Sequence, residues 1–203
     1  MLNIKKNKLI PAIILVLLGI FSRTYFHLGP NVEFVTVATL LAASYLGIYW
    51  SVFVPLGIML VSDVVIGNTN IFIFTWSAYI IIGLVSIAFF KNSSINGLLK
   101  HFIKKKSFYK IIQSTFLGLG ASVWFYLWTN FGVWILDSWG MYDRSFSGLF
   151  DAYILGIPFL KYNLIGNMVI IPLTFTIVEL SKSYKFIPVL LRFAAKRNKA
   201  DLH

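Results

Sequence analysis

The chain has 203 residues, of which 58% are hydrophobic and only 12% charged, and its mean hydropathy is +0.80. A soluble domain carries about 25% charged residues, so the composition excludes an ordinary water-soluble globule and predicts an integral membrane protein. The absence of cysteine excludes disulfides, thiolate chemistry and Cys-ligated metals.

The first apolar run, Leu9 to Phe26, follows Lys5, Lys6 and Lys8 and has the outline of a signal peptide. No small-residue cleavage site comes after it, so it is expected to remain as a helix. Further runs of roughly membrane length lie at Phe34 to Trp50, Val52 to Ile66, Ile71 to Phe90, Ile111 to Leu136 and Leu164 to Leu180. The expected fold is therefore all-α, a six-transmembrane-helix bundle. A single membrane domain covers residues 1–181, and a basic cytoplasmic tail covers 182–203. The third span is the shortest. Its rise of about 22 Å at 1.5 Å per residue predicts a thin or tilted helix, or half of a re-entrant hairpin with the second span. Between the fifth and sixth spans, "SFSGLFDAYILGIPFL" is interrupted by Asp151 and Pro158, and it reads as a short amphipathic segment capping the bundle or lying at the surface.

Charge placement gives an independent orientation, because Lys and Arg accumulate on the cytoplasmic side of membrane proteins. With six spans and both termini inside, fifteen of the eighteen basic residues fall in cytoplasmic pieces, and only Arg23, Arg144 and Lys161 fall outside. Five of the seven acidic residues, Glu33, Asp63, Asp137, Asp143 and Asp151, sit at or beyond the outer helix ends. The net charge of +11 is then a topology signal and an attraction to anionic lipid heads. It requires no nucleic acid as partner.

Polar residues collect at the same outer depth: Asn31 and Glu33, Asp63 and Asn68, Asn70, Trp76 and Tyr79, Trp128, Thr129, Asn130 and Trp134, Asn163 and Asn167. Embedded polar groups are expensive unless they face a cavity or one another, so by default they mark a functional site. Helix caps and an interfacial aromatic belt explain such residues equally simply, and that reading suits Asn70, Trp50, Trp139 and Tyr142. Glu33, Asp63, Trp76, Asn130 and Asn167 come from different spans at one depth and are expected to converge on a ligand. Glu33, Asp63, Asn130 and Asn167 would supply hydrogen bonds, and Trp76 and Trp128 flat ring faces.

The stretches "PNVEFVTVATLLAASYLG", "VPLGIMLVSDVVIGNTNIFIFTWSAYIIIGL" and "WTNFGVWILDSWGMYDRSFSGLFDAYILGIPFLKYNLIGN" resemble the substrate-binding S components of energy-coupling factor (ECF) vitamin transporters, within an S-component-like group of unassigned substrate. The resemblance covers about residues 9 to 181. It rests on Pro30, Asn31 and Glu33 opening the second helix, on Ser62, Asp63 and Gly67 before an outer turn, and on Gly83 and Leu84 closing the fourth. It implies capture of a small water-soluble micronutrient at the outer side of a prokaryotic plasma membrane, with Asn31, Glu33, Asp63, Trp76, Trp128, Asn130, Asn163 and Asn167 as candidate substrate-binding residues. It also implies a transmembrane coupling protein and two ATPase subunits as partners, since no G-x-x-x-x-G-K-[ST] loop occurs in the chain. The small residues that dock such a partner lie on the first helix of that family. Here the first helix offers only Ala12 and Gly19, and the nearest Ala-x-x-x-Ala is Ala38 and Ala42 on the second. Those two would serve partner docking or packing inside the bundle.

An enzyme is the least favoured class. The three histidines, His27, His101 and His203, are scattered and form no cluster, and neither a cofactor nor a metal is expected. A solitary transporter without ECF partners, or a non-transporting membrane scaffold, are the alternatives. Because the chain is naturally free of cysteine, a Lys105→Cys variant in intact cells tests the orientation directly. The thiol is expected to resist an impermeant reagent added outside and to react only after the membrane is opened.

Overall fold

The structure is a computed structural model, and it describes residues 6–26, 32–67, 70–91, 106–138 and 140–183. Asn31, the three histidines, most of the loop between the fourth and fifth spans and the tail from 184 onward lie outside the described residues. All regular structure among the described residues is helical: α1 (Lys6–Thr24), α2 (Val35–Leu41), α3 (Ile48–Ile66), α4 (Phe72–Lys91), α5 (Lys106–Leu136) and α6 (Phe146–Ser183). The helices α3, α4, α5 and α6 are long and apolar enough to cross a membrane. Their outward surfaces are apolar too, with Val64, Phe116 and Met168 more than half exposed. Water would not tolerate so much contiguous apolar surface.

The bundle is organised around its shortest member. Every residue of α2 is buried, and one π-helical turn, Ala42–Leu46, extends it. Two stripes run along this rod at helical spacing. Val35, Ala38, Ala42 and Leu46 pack against α1, α3 and α4, with Val54, Ile58, Met59 and Tyr79 as neighbours. Val37, Leu40 and Leu41 pack against Ile171 and Phe175 of α6. A helix that is apolar all round belongs in an interior. Ala38 and Ala42 therefore serve packing inside the bundle, each with no exposed surface, and neither is offered to a docking partner.

The rod stops earlier than the hydropathy pattern implies. Gly47 takes φ 102°, ψ −176°, a conformation open to glycine and strained for any residue with a Cβ. The second span thus ends at Leu46 rather than Trp50, and α3 begins at Ile48. This gives α3 19 residues, about 28 Å of rise, where the sequence predicted a stub. α3 closes at Gly67, which is left-handed (φ 76°) and donates its N–H to the Asp63 carbonyl at 2.9 Å.

The interruption expected between the last two spans is absent. Phe146–Ser183 is one helix of 38 residues with Pro158 and Pro172 inside it, so no separate amphipathic segment exists. Ser145 caps the start by accepting the Gly148 N–H at 3.2 Å. Each proline removes one backbone bond, and packing inside a bundle tolerates that loss. α6 lies along α5 for most of its length. The Tyr126 hydroxyl donates to the Tyr153 carbonyl at 2.6 Å, and the Tyr153 hydroxyl to the Leu127 carbonyl at 3.2 Å.

The ends of the helices away from the Arg23 side gather basic residues around the end of α2. Lys8 of α1 donates to the Leu46 carbonyl. The Lys110 and Lys182 ammonium groups lie 3.6 and 3.2 Å from the centre of the Tyr45 ring, whose hydroxyl donates to Glu179 at 2.6 Å.

Glycines set the closest helix approaches. A Cβ on Gly83 of α4 would meet the Ser51 carbonyl of α3, whereas one on Gly120 of α5 would meet nothing within 4 Å. Gly83→Ala is therefore expected to destabilise the bundle by about 1–3 kcal/mol, read as a lower midpoint of thermal unfolding in detergent. Gly120→Ala should leave the midpoint unchanged or slightly raised.

Candidate functional site

Arg23 stands in the last turn of α1, and only 8% of its surface is exposed. A guanidinium out of water costs several kcal/mol unless it is paired and fully hydrogen-bonded. Two carboxylates and a hydroxyl answer it. Its Nε donates to Glu33 Oε2 at 2.9 Å, and its Nη1 donates to Asp63 Oδ1 at 2.7 Å and to Ser62 Oγ at 2.6 Å. Asp63 is held from the other side by Trp76, whose Nε1 donates to Oδ2 at 2.7 Å. Ser62 passes its own proton back to the Ile58 carbonyl at 2.6 Å. One residue earlier on α1, Ser22 Oγ accepts the Phe34 N–H at 3.0 Å. The end of α1 thus ties down the start of α2, the end of α3 and the start of α4.

Beside this cluster lies a cavity of about 540 Å³, within the range of small-molecule sites. Arg23 and Glu33 form one wall, Thr75 and Tyr79 of α4 a second, Thr129 and Asn130 of α5 a third, and Phe159 and Asn163 of α6 the fourth. Phe125, Leu155 and Ile66 add apolar surface. The rim comes from the connection between α5 and α6, which contributes Met141 and Tyr142. Asp137, with φ 39°, shapes that rim. Its Oδ1 accepts the N–H groups of Met141 at 2.8 Å and Tyr142 at 3.2 Å. Trp134 Nε1 braces the same turn through the Asp143 carbonyl at 3.1 Å.

A second space of about 20 Å³ opens between α5 and α6, lined by Ser122, Thr129, Asn130 and Asn163. Asn167 lies beside Asn163 and Ser122. Its Nδ2 donates to Ser122 Oγ at 2.8 Å and to Asn163 Oδ1 at 3.0 Å. A groove of about 630 Å³ also runs between α4 and α5, lined by Ile81, Val85, Phe89, Phe116 and Trp124. It is larger than the cavity but almost wholly apolar, and the Ser86 hydroxyl in it is spent on the Ile82 carbonyl. Such a surface suits acyl chains better than a water-soluble ligand.

Of the residues expected at a ligand, Glu33, Asn130 and Asn163 line the cavity. Asp63 and Trp76 do not: they bond to each other behind Arg23 and hold it in place. Asn167 is buried beside Asn163 and orients that side chain. Trp128 is elsewhere, donating to Ser77 Oγ at 2.8 Å and stacking among Phe74, Trp124 and Phe131. It braces α4 against α5. At the cavity, Tyr79 and Thr129 belong to the polar residues that the sequence places at the outer depth without a ligand role, Tyr142 to those it assigns to caps and the aromatic belt, and Arg23 to neither. The signal for Arg23 was present, since it is one of three basic residues on the acidic side of the chain. Among the described residues, no group of three or more His, Asp or Glu could hold a metal ion.

The ion cluster makes a sharp stability prediction. Arg23→Met removes the guanidinium that Glu33 and Asp63 share and is expected to cost about 3–5 kcal/mol in reversible unfolding in detergent. Adding Glu33→Gln and Asp63→Asn to that variant removes the uncompensated charge and should restore a large part of the loss.

No curated protein and no solved structure matches the chain. One family model does, over residues 3–190, and the chain belongs to that family, which is described as a family of unknown function (DUF6580).

Proposed function

We propose that this protein is the membrane-embedded substrate-binding subunit of an uptake system for a small water-soluble micronutrient. The observation that carries this reading is the cavity at one end of the bundle, walled by Glu33, Thr75, Tyr79, Thr129, Asn130 and Asn163. Convergent polar groups on an apolar frame are what a soluble ligand needs to leave water. In this reading the chain crosses a prokaryotic plasma membrane six times, with both termini cytoplasmic and the cavity facing out. Energy comes from a separate transmembrane protein and two ATPase subunits, as in the ECF systems its sequence resembles.

A solitary transporter is the second reading, and one observation favours it. Ala12 and Gly19, the small residues of α1, are turned inward, and a Cβ on Gly19 would meet Ile58. The outward face of α1 carries Ile10, Ile13, Leu17 and Phe21, so the small-residue surface that would let a coupling helix approach closely is already occupied.

Native mass spectrometry of the detergent-purified protein is expected to reveal a co-purifying small molecule. Asn163→Leu, which removes a polar wall and fills space, should lose it while the fold survives. Once the molecule is identified, Asn130→Ala and Asn163→Ala should weaken binding by about 5- to 150-fold, the range for leaving a desolvated group unpaired. Trp128→Phe should leave affinity within about twofold.

A further inference from the structure

We propose that the groove between α4 and α5 seats one acyl chain of an anionic phospholipid, drawn from the leaflet on the basic side of the bundle, with the headgroup at Lys91. The seat requires only that the chain lie in a bilayer, whatever enters the cavity at the other end.

The groove originates in missing side chains. Ser86 of α4 and Gly120 and Ala121 of α5 are small, and a Cβ on Gly120 would meet nothing within 4 Å. Ile82, Ser86 and Ala121 form a buried floor, while Val85 and Phe116, each more than half exposed, stand at the lip. The Ser86 hydroxyl already donates to the Ile82 carbonyl at 2.6 Å. A flexible hydrocarbon chain fits such a slot, because dispersion against a closely fitted wall is gained without stranding a polar group.

Length and position narrow the occupant. From Phe116 to Trp124 the lining of α5 covers eight residues, about 12 Å of rise. That is close to the depth of one leaflet of a hydrocarbon core about 30 Å thick. On α4 the lining ends at Phe89, and the exposed Lys91 follows two residues later as the last residue of the helix. Gln113 Nε2 lies 3.5 Å from the Phe89 carbonyl, which brings the first turns of α5 to the same level. The mouth of the slot therefore opens at the basic end of the bundle.

Charge then selects the headgroup. Among the described residues, Lys8, Lys91, Lys110 and Lys182 stand at this end with one carboxylate, Glu179. The other described acidic residues, Glu33, Asp63, Asp137, Asp143 and Asp151, belong to the cavity end. Four ammonium groups are not neutralised by one carboxylate however they are paired, so the positive excess survives every contact they make. One lysine near an anionic headgroup favours it by about 5-fold. Apolar slot and basic mouth together describe a phospholipid rather than a free fatty chain or a soluble anion.

Bromine-labelled lipid tests this. The full chain is placed at one copy per nanodisc in phosphatidylcholine, and phosphatidylglycerol or phosphatidylcholine dibrominated at mid-chain is added in steps. Emission from Trp124 is read as the difference between the parent and Trp124→Phe. The anionic lipid is expected to quench Trp124 at about 5-fold lower mole fraction than the zwitterionic one, with the preference shrinking at high salt. Lys91→Gln should reduce that preference to about twofold or less, and Gly120→Leu, which fills the slot, should leave the two lipids equal and weak. Native mass spectrometry of the same samples counts retained lipid without needing the Trp124 variant: the parent should carry one phosphatidylglycerol more than Gly120→Leu. Equal quenching by the two lipids in the parent overturns the headgroup selection. Quenching and lipid count unchanged in Gly120→Leu overturn the groove as the seat. Loss of quenching when two copies share a nanodisc shows that a second chain covers the groove, and overturns the lipid.

Discussion

A guanidinium taken out of water must be answered in place, and the architecture follows from how Arg23 is answered. Its partners come from the lead-in to α2, from α3 and, through Trp76, from α4. None of these segments can shift without stranding a charge. In an apolar surround, where hydrophobic burial discriminates weakly between one helix contact and another, an ion cluster of this kind is a strong source of register. It fixes which turn of α1 meets which turn of α3, and it holds Glu33 at the edge of the cavity.

Register alone does not make a compact bundle. Compactness comes from α2 and from missing side chains. α2 presents Val35, Ala38 and Ala42 to one set of helices and Val37, Leu40 and Leu41 to another, so its neighbours are layered around a common pin. Gly19 admits Ile58, Gly118 admits Ile171 and Gly132 admits Phe74. Dispersion between closely fitted surfaces then does what water-driven burial does in a soluble core.

Much of this was legible in the sequence, for identifiable reasons. Apolar runs mark helices because no unsatisfied backbone survives in lipid, and the common depth of Glu33, Asn130 and Asn163 follows from their places at the outer ends of the expected spans. Three features were illegible. Pro158 and Asp151 look like a break, yet a capped start at Ser145 and a long contact with α5 carry the helix through. Gly47 looks like an ordinary small residue in an apolar run, and only its positive φ reveals the stop. Asp63 and Trp76 have the chemistry of ligand contacts, but their partner is Arg23, some forty residues from Asp63 in the chain, and pairing at that distance leaves no local pattern. Trp128 meets Ser77 and Trp124 for a related reason: spacing along a helix gives a side chain's depth but not which neighbour it meets.

The unbroken length of α6 has a mechanical consequence. Its 38 residues extend about 57 Å, nearly twice the roughly 30 Å of a hydrocarbon core. Leu155 and Phe159 stand in its first half and Asn163 at its midpoint, at the cavity, and Glu179 and Lys182 stand near its far end, at Tyr45. Phe159 and Lys182 are 23 residues apart on this helix, about 34 Å, so a tilt of about 5° about the Tyr45 end would displace the cavity wall by about 3 Å. The wall of the cavity and the contacts of Glu179 and Lys182 at Tyr45 share a single piece of backbone.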